Sequence, residues 1–392
     1  MKKILVLTPR FPYPVIGGDR LRIYNICKAL SQHYELTLLS LCESQLEMSF
    51  NVEDTVFNSV IRVYLSPLSS YVNCVKALAT NTPLQVAYYS NRQFQKQFDK
   101  LEKSHDAVLC HLVRTSEYAK YSKIPKVLEM TDAISMNYKR VRTISKRFGF
   151  KNVIYSFEQS RIENYEREIL NSFDLSVVVS QYDKDFLLCG NSAVEDKLLV
   201  CSNGVDLTDL KFNYTPDMKT IVFIGNMTTL QNVDAAKWFI KSVMPLLLIE
   251  GDFIFKIIGR INPNQQEEFN SYPNVLATGG VESISKAAEG AFIGVCPMRL
   301  GAGVQNKVLE YMAMGIPTIT SSVGLEGLEA NPGENILVAD SEVQYVQIIK
   351  SLLDPNLANK FSKKGRAYVE QFHMWNSRLA PFVSKVESLV NL

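Results

Sequence analysis

The chain has 392 residues, of which 46% are hydrophobic and 21% charged, and a formal net charge of +2. At about 150 residues per domain this length predicts two domains, and the near-neutral balance argues against nucleic acid as a partner. The seven cysteines are scattered without CxxC spacing, so we expect no zinc framework and a reducing cytoplasm. The apolar run after Met1 is too short for a signal peptide, and no run reaches the length of a membrane span.

Short apolar runs typical of buried parallel strands alternate with helical patterns in the first half. They lie at Ile4–Leu7, Leu36–Leu39, Ala107–Leu112, Val127–Met130, Leu175–Ser180 and Leu198–Cys201. A loop rich in proline and glycine, with Gly17 and Gly18, follows the first run. Residues 44–105 give the weakest pattern. We predict one Rossmann-like α/β domain over residues 1–205.

A polar, turn-rich segment, Asn203–Asp217, is predicted to link this domain to a second one. The same alternation then resumes. Strands are predicted at Ile221–Ile224, Phe253–Ile258, Val275–Ala277, Phe292–Val295, Thr318–Thr320 and Ile336–Val338, and helices at 232–248, 304–313 and 342–353. We therefore predict a second α/β domain over 219–375, followed by a C-terminal helix over 376–392.

The most informative motif runs over residues 297–317. A predicted strand ends, a glycine-bearing loop allows close approach of a ligand to the backbone, and a helix begins near Val304. The N-terminus of a helix suits a pyrophosphate. Arg299 and Lys307 can neutralise phosphate charge, and Glu310, on the face of Lys307, can accept hydrogen bonds from ribose hydroxyls.

An ordinary β-turn-α connection also fits the motif from the residues alone. Gly301 and Gly303 lack the third glycine of a dinucleotide fingerprint, because Asn306 stands in its place.

The motif nevertheless resembles the donor-site signature of the retaining GT-B glycosyltransferases. It is similar in particular to exopolysaccharide sugar transferases that read Gly-Ala-Gly-x-x-Asn-Lys-x-x-Glu. Other matching segments keep the order and spacing of the family, and they are 7–14 with Gly18 and Asp19, 179–180, 203–206, 223–227 and 232–234.

This resemblance implies a GT-B α/β fold of two Rossmann-like domains with parallel sheets facing across a cleft, the last helix crossing back to the N-terminal domain. It also implies transfer of a sugar, with retention, from a UDP- or GDP-sugar to a glycan or lipid-pyrophosphate-linked acceptor in surface polysaccharide synthesis. Neither a metal nor another cofactor is expected.

The implied donor site comprises Gly225, Asn226, Gly279, Gly301, Gly303, Val304, Gln305, Asn306, Lys307 and Glu310. The implied catalytic residues are Arg299, Lys307, Glu310, His111 and Asp132, and the implied phosphate or acceptor loop is Gly17 and Gly18. From the residues alone, His111 fits a core or surface histidine equally well, Asp132 fits a helix N-cap, and the two glycines fit a plain turn. Many relatives carry a further glutamate where this chain has Ala302, which leaves the donor sugar open.

A basic run without acidic residues is formed by Lys139, Arg140, Arg142, Lys146, Arg147 and Lys151. It predicts either a solvated helix face or a contact of 139–151 with anionic lipid or a lipid-pyrophosphate acceptor. The second would put the protein on the inner face of the cytoplasmic membrane. Asp183 and Asp185 have the Asp-x-Asp spacing of metal-dependent transferases, but they open a predicted helix, where acidic residues commonly lie.

Two rival functions fit the same motifs. One is a nonhydrolysing nucleotide-sugar 2-epimerase, which would need several carboxylates and a histidine around the sugar. The other is a nucleotide-sugar-binding protein without transfer activity.

Overall fold

The chain folds as two α/β units in a computed structural model that describes residues 1–144, 150–301 and 303–391. The first unit comprises Met1–Ser202 with Leu379–Leu392, and the second comprises Asn203–Arg378. Each unit is built on one parallel sheet, so the predicted α/β class with two parallel sheets is confirmed.

Seven strands of the described chain form the first sheet. They are β1 Lys3–Thr8, β2 Glu35–Cys42, β3 Ser59–Tyr64, β4 Ala107–His111, β5 Lys126–Thr131, β6 Leu175–Val178 and β7 Leu198–Val200. Their order is β3-β2-β1-β4-β5-β6-β7. The strand order reverses between β1 and β4, and ligands of open α/β sheets bind at the carboxyl ends of the strands at such a point. Gly17 follows β1 there, and His111 ends β4.

Helices connect and cover these strands, as parallel pairing requires. They are α1 Gly18–Leu30, α2 Gln45–Ser49, α3 Pro67–Ala77, α4 Leu84–Tyr88, α5 Arg92–Leu101, α6 Ser116–Ala119, α7 Ile134–Ile144, α8 Phe150–Ile169 and α9 Gln181–Leu188. Leu5, Val6 and Leu7 in β1 are fully buried although successive side chains point to opposite faces, so both faces of the sheet are covered.

Six strands of the described chain form the second sheet. They are β8 Thr220–Ile224, β9 Ile254–Ile258, β10 Val275–Ala277, β11 Ile293–Cys296, β12 Thr318–Thr320 and β13 Leu337–Val338. Their order is β10-β9-β8-β11-β12-β13, with a reversal between β8 and β11.

The helices of the second half follow the same alternation. They are α10 Leu230–Trp238, α11 Met244–Glu250, α12 Pro263–Asn270, α13 Ile284–Ala287, α14 Asn306–Met314, α15 Ser322–Leu325, α16 Glu342–Ser351, α17 Pro355–Phe372 and α18 Trp375–Val390. The helix predicted over 232–248 is interrupted by a π-helical turn at Phe239–Val243, which joins α10 to α11.

The polar segment predicted as a linker packs onto the second unit. Leu207, Leu210 and Tyr214 contact its core, and the Tyr214 hydroxyl donates to the Phe292 carbonyl at 3.1 Å. The segment is therefore a part of the second unit.

The last helix, α18, begins in the second unit and continues into the first from Leu379 onward. Within the first unit the Lys2 ammonium donates to the Val390 carbonyl, and His33 lies 3.2 Å from Glu387. These contacts tie the two ends of the chain together.

A glycine in β11 generates a test of how the second unit is packed. A Cβ at Gly294 would lie 2.4 Å from the ring of buried Tyr311, whose hydroxyl accepts from Ile224 N at 2.7 Å and donates to the Val295 carbonyl. The ring cannot move without losing these bonds, so Gly294→Ala should cost about 1–3 kcal/mol of unfolding free energy. Gly251→Ala is the control, because its Cβ would lie at an ordinary contact distance of 3.5 Å from the Phe253 ring. It should change the unfolding free energy by less than about 0.5 kcal/mol. Equal denaturation midpoints for Gly294→Ala and wild type would contradict this packing.

Candidate functional site

Three glycines lie at the carboxyl edge of the second sheet, where β8, β9 and β10 end. They are Gly225, Gly259 and Gly279. Gly225 N donates to the Ile258 carbonyl at 2.9 Å, and Gly259 N donates to the Gly279 carbonyl at 3.1 Å. Gly259 has a φ of 141°, and a Cβ there would lie 2.0 Å from the Gly225 oxygen. Only glycine permits this approach, which leaves an edge lined by backbone.

The turn after β8 positions a side chain on α10. Asn226 closes the turn by accepting from the Thr228 amide and hydroxyl at 3.0 and 2.8 Å. Its carbonyl accepts from Asn232 Nδ2 at 3.0 Å. The amide of Asn232 is therefore oriented with its oxygen available for another donor.

That donor is the ammonium of Lys307, in the first turn of α14. Lys307 is 8% exposed, and its Nζ donates to Asn232 Oδ1 at 3.2 Å and to Gln305 Oε1 at 3.1 Å. It also lies 5.4 Å above the ring of Phe223 and 3.8 Å from the sulfur of Met298. All of its hydrogen-bond partners among the described residues are uncharged. A buried cation held by neutral groups is a strong local attractor for an anion.

Glu310 follows Lys307 by one helical turn and is half-buried. Burial raises the pKa of its carboxyl to about 6, and the nearby Lys307 charge opposes that shift. The carboxylate is ionised at neutral pH and can accept hydrogen bonds from hydroxyl groups.

Arg299 carries a second cation at this edge, and an acidic residue on α10 engages it. Its Nε and Nη2 donate to the two carboxylate oxygens of Asp234 at 3.0 and 2.6 Å. Such a two-point contact fixes the guanidinium plane. Arg299 is thus oriented and partly neutralised, whereas among the described residues no carboxylate forms an ion pair with Lys307, although Glu310 lies nearby.

The loop between β11 and α14 has two glycines with positive φ, Gly301 at 136° and Gly303 at 68°. Val304 and Gln305 precede α14, which begins at Asn306 rather than near Val304. Gln305 directs its side chain to Lys307 and makes no capping bond to the first-turn amides. The helix N-terminus is therefore available to an anion.

Two further points complete this loop. Asn306 accepts from Asn203 Nδ2 at 2.7 Å, which ties the loop to the start of the second unit. Ala302, which replaces the glutamate of many relatives, lies outside the described residues.

The first unit holds a buried carboxylate that joins three elements. Glu129 in β5 accepts from Arg22 of α1 at 2.6 Å and from His111 Nδ1 of β4 at 2.5 Å, and also from Thr131 N at 2.8 Å. Burial alone would raise the pKa of Glu129, but Arg22 and His111 outweigh it and hold that pKa at about 2. Because the ionised carboxylate can only accept, His111 carries a proton on Nδ1, and its Nε2 is directed away from Glu129.

The loop before α1 carries the predicted glycines of this unit. Gly17 has a φ of 105° and makes no side-chain cap, and Gly18 begins the helix. Nearby, Arg10 lies 3.7 Å from Asp19 and donates to the Tyr89 hydroxyl. The N-terminal amides of α1 thus lie at the carboxyl edge of the first sheet, together with His111.

Asp132 lies just after β5. Burial and the neighbouring Asp183 raise the pKa of Asp132 to about 7, although a hydrogen bond of 3.0 Å from Asn137 partly opposes this rise. The first amides of α7, those of Ile134 and Ser135, donate to Glu166 at 2.7 and 3.2 Å. Glu166 therefore performs the capping that the sequence suggested for Asp132.

The two carboxylates of the Asp-x-Asp motif lie in different environments. Asp183 is fully buried and accepts from Ala133 N at 3.0 Å and from the Ser180 hydroxyl. Asp185 is held by Gln181 at 2.7 Å. In the part of the chain that the structure describes, no group of three or more His, Cys, Asp or Glu is arranged to hold a metal ion.

The sequence predicted Lys307, Glu310, Arg299 and His111 as site residues, but it did not predict the residues that hold them. Asn232 and Asp234 belong to a segment that matched the family. Two polar side chains near the start of a predicted helix could have indicated that they hold Lys307 and Arg299. Arg22 and Glu129 gave no signal, because 107 residues separate them. Of the basic run 139–151, the structure describes the side chain of Lys139, which is exposed and lies 5.9 Å from the ring of Phe186. The other five basic residues lie outside the described side chains.

Comparison with protein families finds a match over the segment that contains Lys307. Residues 218–355, the greater part of the second unit, match the family model described as Glycosyl transferases group 1. A curated Klebsiella pneumoniae protein, described as an uncharacterized 44.6 kDa protein in the cps region, is 24% identical over 366 residues, 89% of this chain and 90% of that one.

Solved structures resemble the fold along the whole chain. Sucrose-phosphate synthase from Thermosynechococcus elongatus superposes with a TM-score of 0.74 at 13% identity, covering 99% of both chains. HepE from Anabaena, solved with UDP-glucose, gives 0.65 at 13% identity over 99% of this chain and 100% of that one. TarM from S. aureus, solved as a mutant with UDP and other ligands, gives 0.68 at 12% identity over all of both chains. The shared fold is GT-B.

No helix in the described ranges combines the length and apolar composition needed to cross a membrane.

The Glu129 cluster yields a prediction with a defined pH dependence. Glu129→Gln should lower the unfolding free energy at pH 7 by about 3–5 kcal/mol, because it leaves the Arg22 charge buried and uncompensated. The pKa of Glu129 lies below its ordinary value, so its contribution is complete above about pH 4.3 and is lost as the pH falls toward 2. The gap between wild type and variant should therefore narrow in that window.

Glu35→Gln is the control, since its pair with Lys3 is exposed and should contribute less than about 1 kcal/mol. Urea denaturation across pH measures both variants. A gap that stays constant from pH 7 to pH 2 would show that Glu129 is not a charged partner.

Proposed function

We propose that this chain, whose residues 218–355 match the glycosyl transferases group 1 model, is a retaining glycosyltransferase with a nucleotide-diphosphate-sugar donor. The observation that carries the proposal is the buried ammonium of Lys307, held by neutral side chains at the N-terminus of α14. A helix N-terminus and a buried ammonium whose hydrogen-bond partners are neutral together favour a diphosphate. The family match makes a sugar nucleotide the natural source of that group.

In the proposed reaction the nucleoside diphosphate departs as an oxocarbenium-like sugar forms. Lys307 and the first amides of α14 stabilise the charge that grows on the leaving phosphate. Arg299, oriented by Asp234, adds a second positive charge. The acceptor hydroxyl attacks the face that the phosphate leaves, and the phosphate takes its proton. No protein nucleophile and no metal ion takes part.

The remaining residues bind and position the substrates. Glu310 accepts from the ribose hydroxyls, and the backbone at Gly225, Gly279 and Gly301 lines the donor. In the first unit we assign Gly17 and Gly18 to the donor phosphate or the acceptor, His111 to the transferred sugar and Asp132 to an acceptor hydroxyl.

The donor and acceptor classes are supported by relatives. HepE was solved with UDP-glucose and TarM with UDP, which favours a UDP-sugar over a GDP-sugar. The relative in a cps region favours an acceptor in surface polysaccharide synthesis, either a glycan or a lipid-linked sugar. A lipid-linked acceptor would bring residues 139–151 against anionic headgroups on the inner face of the cytoplasmic membrane. Product analysis with a labelled donor separates transfer from 2-epimerisation and from binding alone.

A nucleotide panel identifies the donor base. UDP at about 100 times its dissociation constant should stabilise the fold by about 2.7 kcal/mol and raise the melting temperature, with a smaller rise for GDP. Differential scanning fluorimetry measures both. A larger rise with GDP would reverse the base assignment, and no rise with either would contradict a nucleotide site.

Removal of the Lys307 charge tests its role in the reaction. Lys307→Met keeps the length and packing of the side chain, and kcat should fall about 10²–10³-fold because the leaving-group charge is greatest in the transition state. Lys219→Met, an exposed lysine of the same unit, should keep wild-type kcat. Both are assayed in EDTA by steady-state kinetics. Loss of wild-type activity in EDTA that manganese restores would overturn the metal-free mechanism.

Glu310 predicts a pH effect on donor binding. Its pKa is about 6, so the carboxylate loses its charge as the pH falls through 6 and becomes a weaker acceptor. The donor KM of wild type should rise below pH 6, whereas Glu310→Gln should have a raised KM that is independent of pH, with kcat little changed. If the donor KM of both enzymes changed with pH in the same way, Glu310 would not contact the ribose.

A further inference from the structure

Helix α3 in the first unit presents its large apolar side chains to solvent. Leu68, Tyr71, Val72, Val75 and the following Leu78 are each between 51% and 80% exposed. Their spacing of three and four residues places them on one face of the helix. A continuous apolar face of this kind on a soluble unit marks an interaction surface.

The opposite face of α3 explains why this orientation is fixed. It is made of small or polar residues, namely Ser70, Asn73, Cys74 and Ala77. Asn73 donates to the Ser90 carbonyl at 2.9 Å, and Cys74 donates to the Leu84 carbonyl at 3.6 Å. Arg161 of α8 holds the end of the helix by donating to the Ala77 carbonyl at 2.6 Å. In an ordinary surface helix the apolar face is buried, whereas in α3 it is exposed. Rotating α3 about its axis to bury that face would break these hydrogen bonds.

The one charged residue of α3 is a cation. Lys76 lies near the end of the helix and is exposed. Glu158, whose carboxylate acts on Cys74 of α3, is buried and paired with Arg161 at 2.7 Å. An exposed lysine beside an apolar helix face complements an anionic surface.

We propose that α3 lies in the headgroup region of an anionic lipid bilayer and inserts its apolar face, with Lys76 toward the lipid phosphates. Tyr71, whose ring packs edge-on against Tyr88 at 5.9 Å, suits the interface because tyrosine has an apolar body and a polar end. Apolar burial and basic charge together bind interfacial helices to membranes. This inference stands on α3 alone and does not depend on sugar transfer or on residues 139–151.

Vesicle flotation of the full chain tests the proposal. The triple variant Leu68→Gln, Val72→Gln, Val75→Gln removes the apolar face without touching a buried residue. With vesicles of phosphatidylcholine and phosphatidylglycerol its partition coefficient should fall roughly 100-fold below wild type. The matched control Ile249→Gln, Leu276→Gln, Val343→Gln changes three exposed aliphatic residues of the second unit and should float like wild type.

Insertion itself is measured with a tryptophan probe. Leu68→Trp should give a blue-shifted emission that brominated lipids quench when the vesicles are added, and Ile249→Trp should give neither. Thermal unfolding checks that every variant is folded. Flotation of the triple variant equal to wild type, or an unquenched Leu68→Trp, would overturn the proposal. So would unchanged flotation with altered sedimentation of the triple variant, which would assign α3 to self-association.

A further variant reports on the separate basic-run contact. Neutralising Lys139, Arg140 and Arg142 should leave the emission shift of the Leu68→Trp probe in place, because α3 inserts through its own side chains. Abolition of that shift would contradict an independent α3 surface.

Discussion

The second unit depends on one buried charge, the ammonium of Lys307, and on the neutral groups that hold it. Asn226 closes the turn after β8, its carbonyl orients Asn232, and Asn232 accepts from Lys307. The contact of Gly225 with Gly259 brings the strand ends close enough for this chain of bonds. Glu310 lies near Lys307, but no carboxylate of the described residues pairs with it directly, and a buried charge without a direct ion pair is costly. The arrangement is therefore suited to bind an anion.

In the first unit the buried carboxylate of Glu129 has direct charged partners. Glu129 is enclosed by Arg22, His111 and Thr131, so its charge is balanced within the protein. Such a cluster fixes the geometry of α1, β4 and β5 and sets the tautomer of His111. The two clusters differ because the Glu129 carboxylate has charged hydrogen-bond partners, whereas the hydrogen-bond partners of the Lys307 ammonium are neutral and leave it able to bind an anion.

Sequence patterns predicted much of the fold and part of the site. Runs such as Ile4–Leu7 and Ile221–Ile224 are apolar because their strands are covered on both faces, and each appears within a residue or so of its predicted ends. Strand β3 was missed because it lies at the sheet edge, where Arg62 interrupts the apolar run. The pairing of Asp234 with Arg299 depends on tertiary packing, so the sequence could not predict it. The outward apolar face of α3 could not be predicted either, because periodicity alone would place an apolar helix face in the core.

The central claim is that Lys307 recognises the diphosphate of a donor. Isothermal titration of wild type and Lys307→Met with the preferred nucleoside diphosphate and with its parent nucleoside tests it most directly. The variant should lose about 10- to 150-fold in affinity for the diphosphate, the value of a hydrogen bond to a charged group, and keep its affinity for the nucleoside. An equal loss for both ligands, or no loss for the diphosphate, would contradict the account.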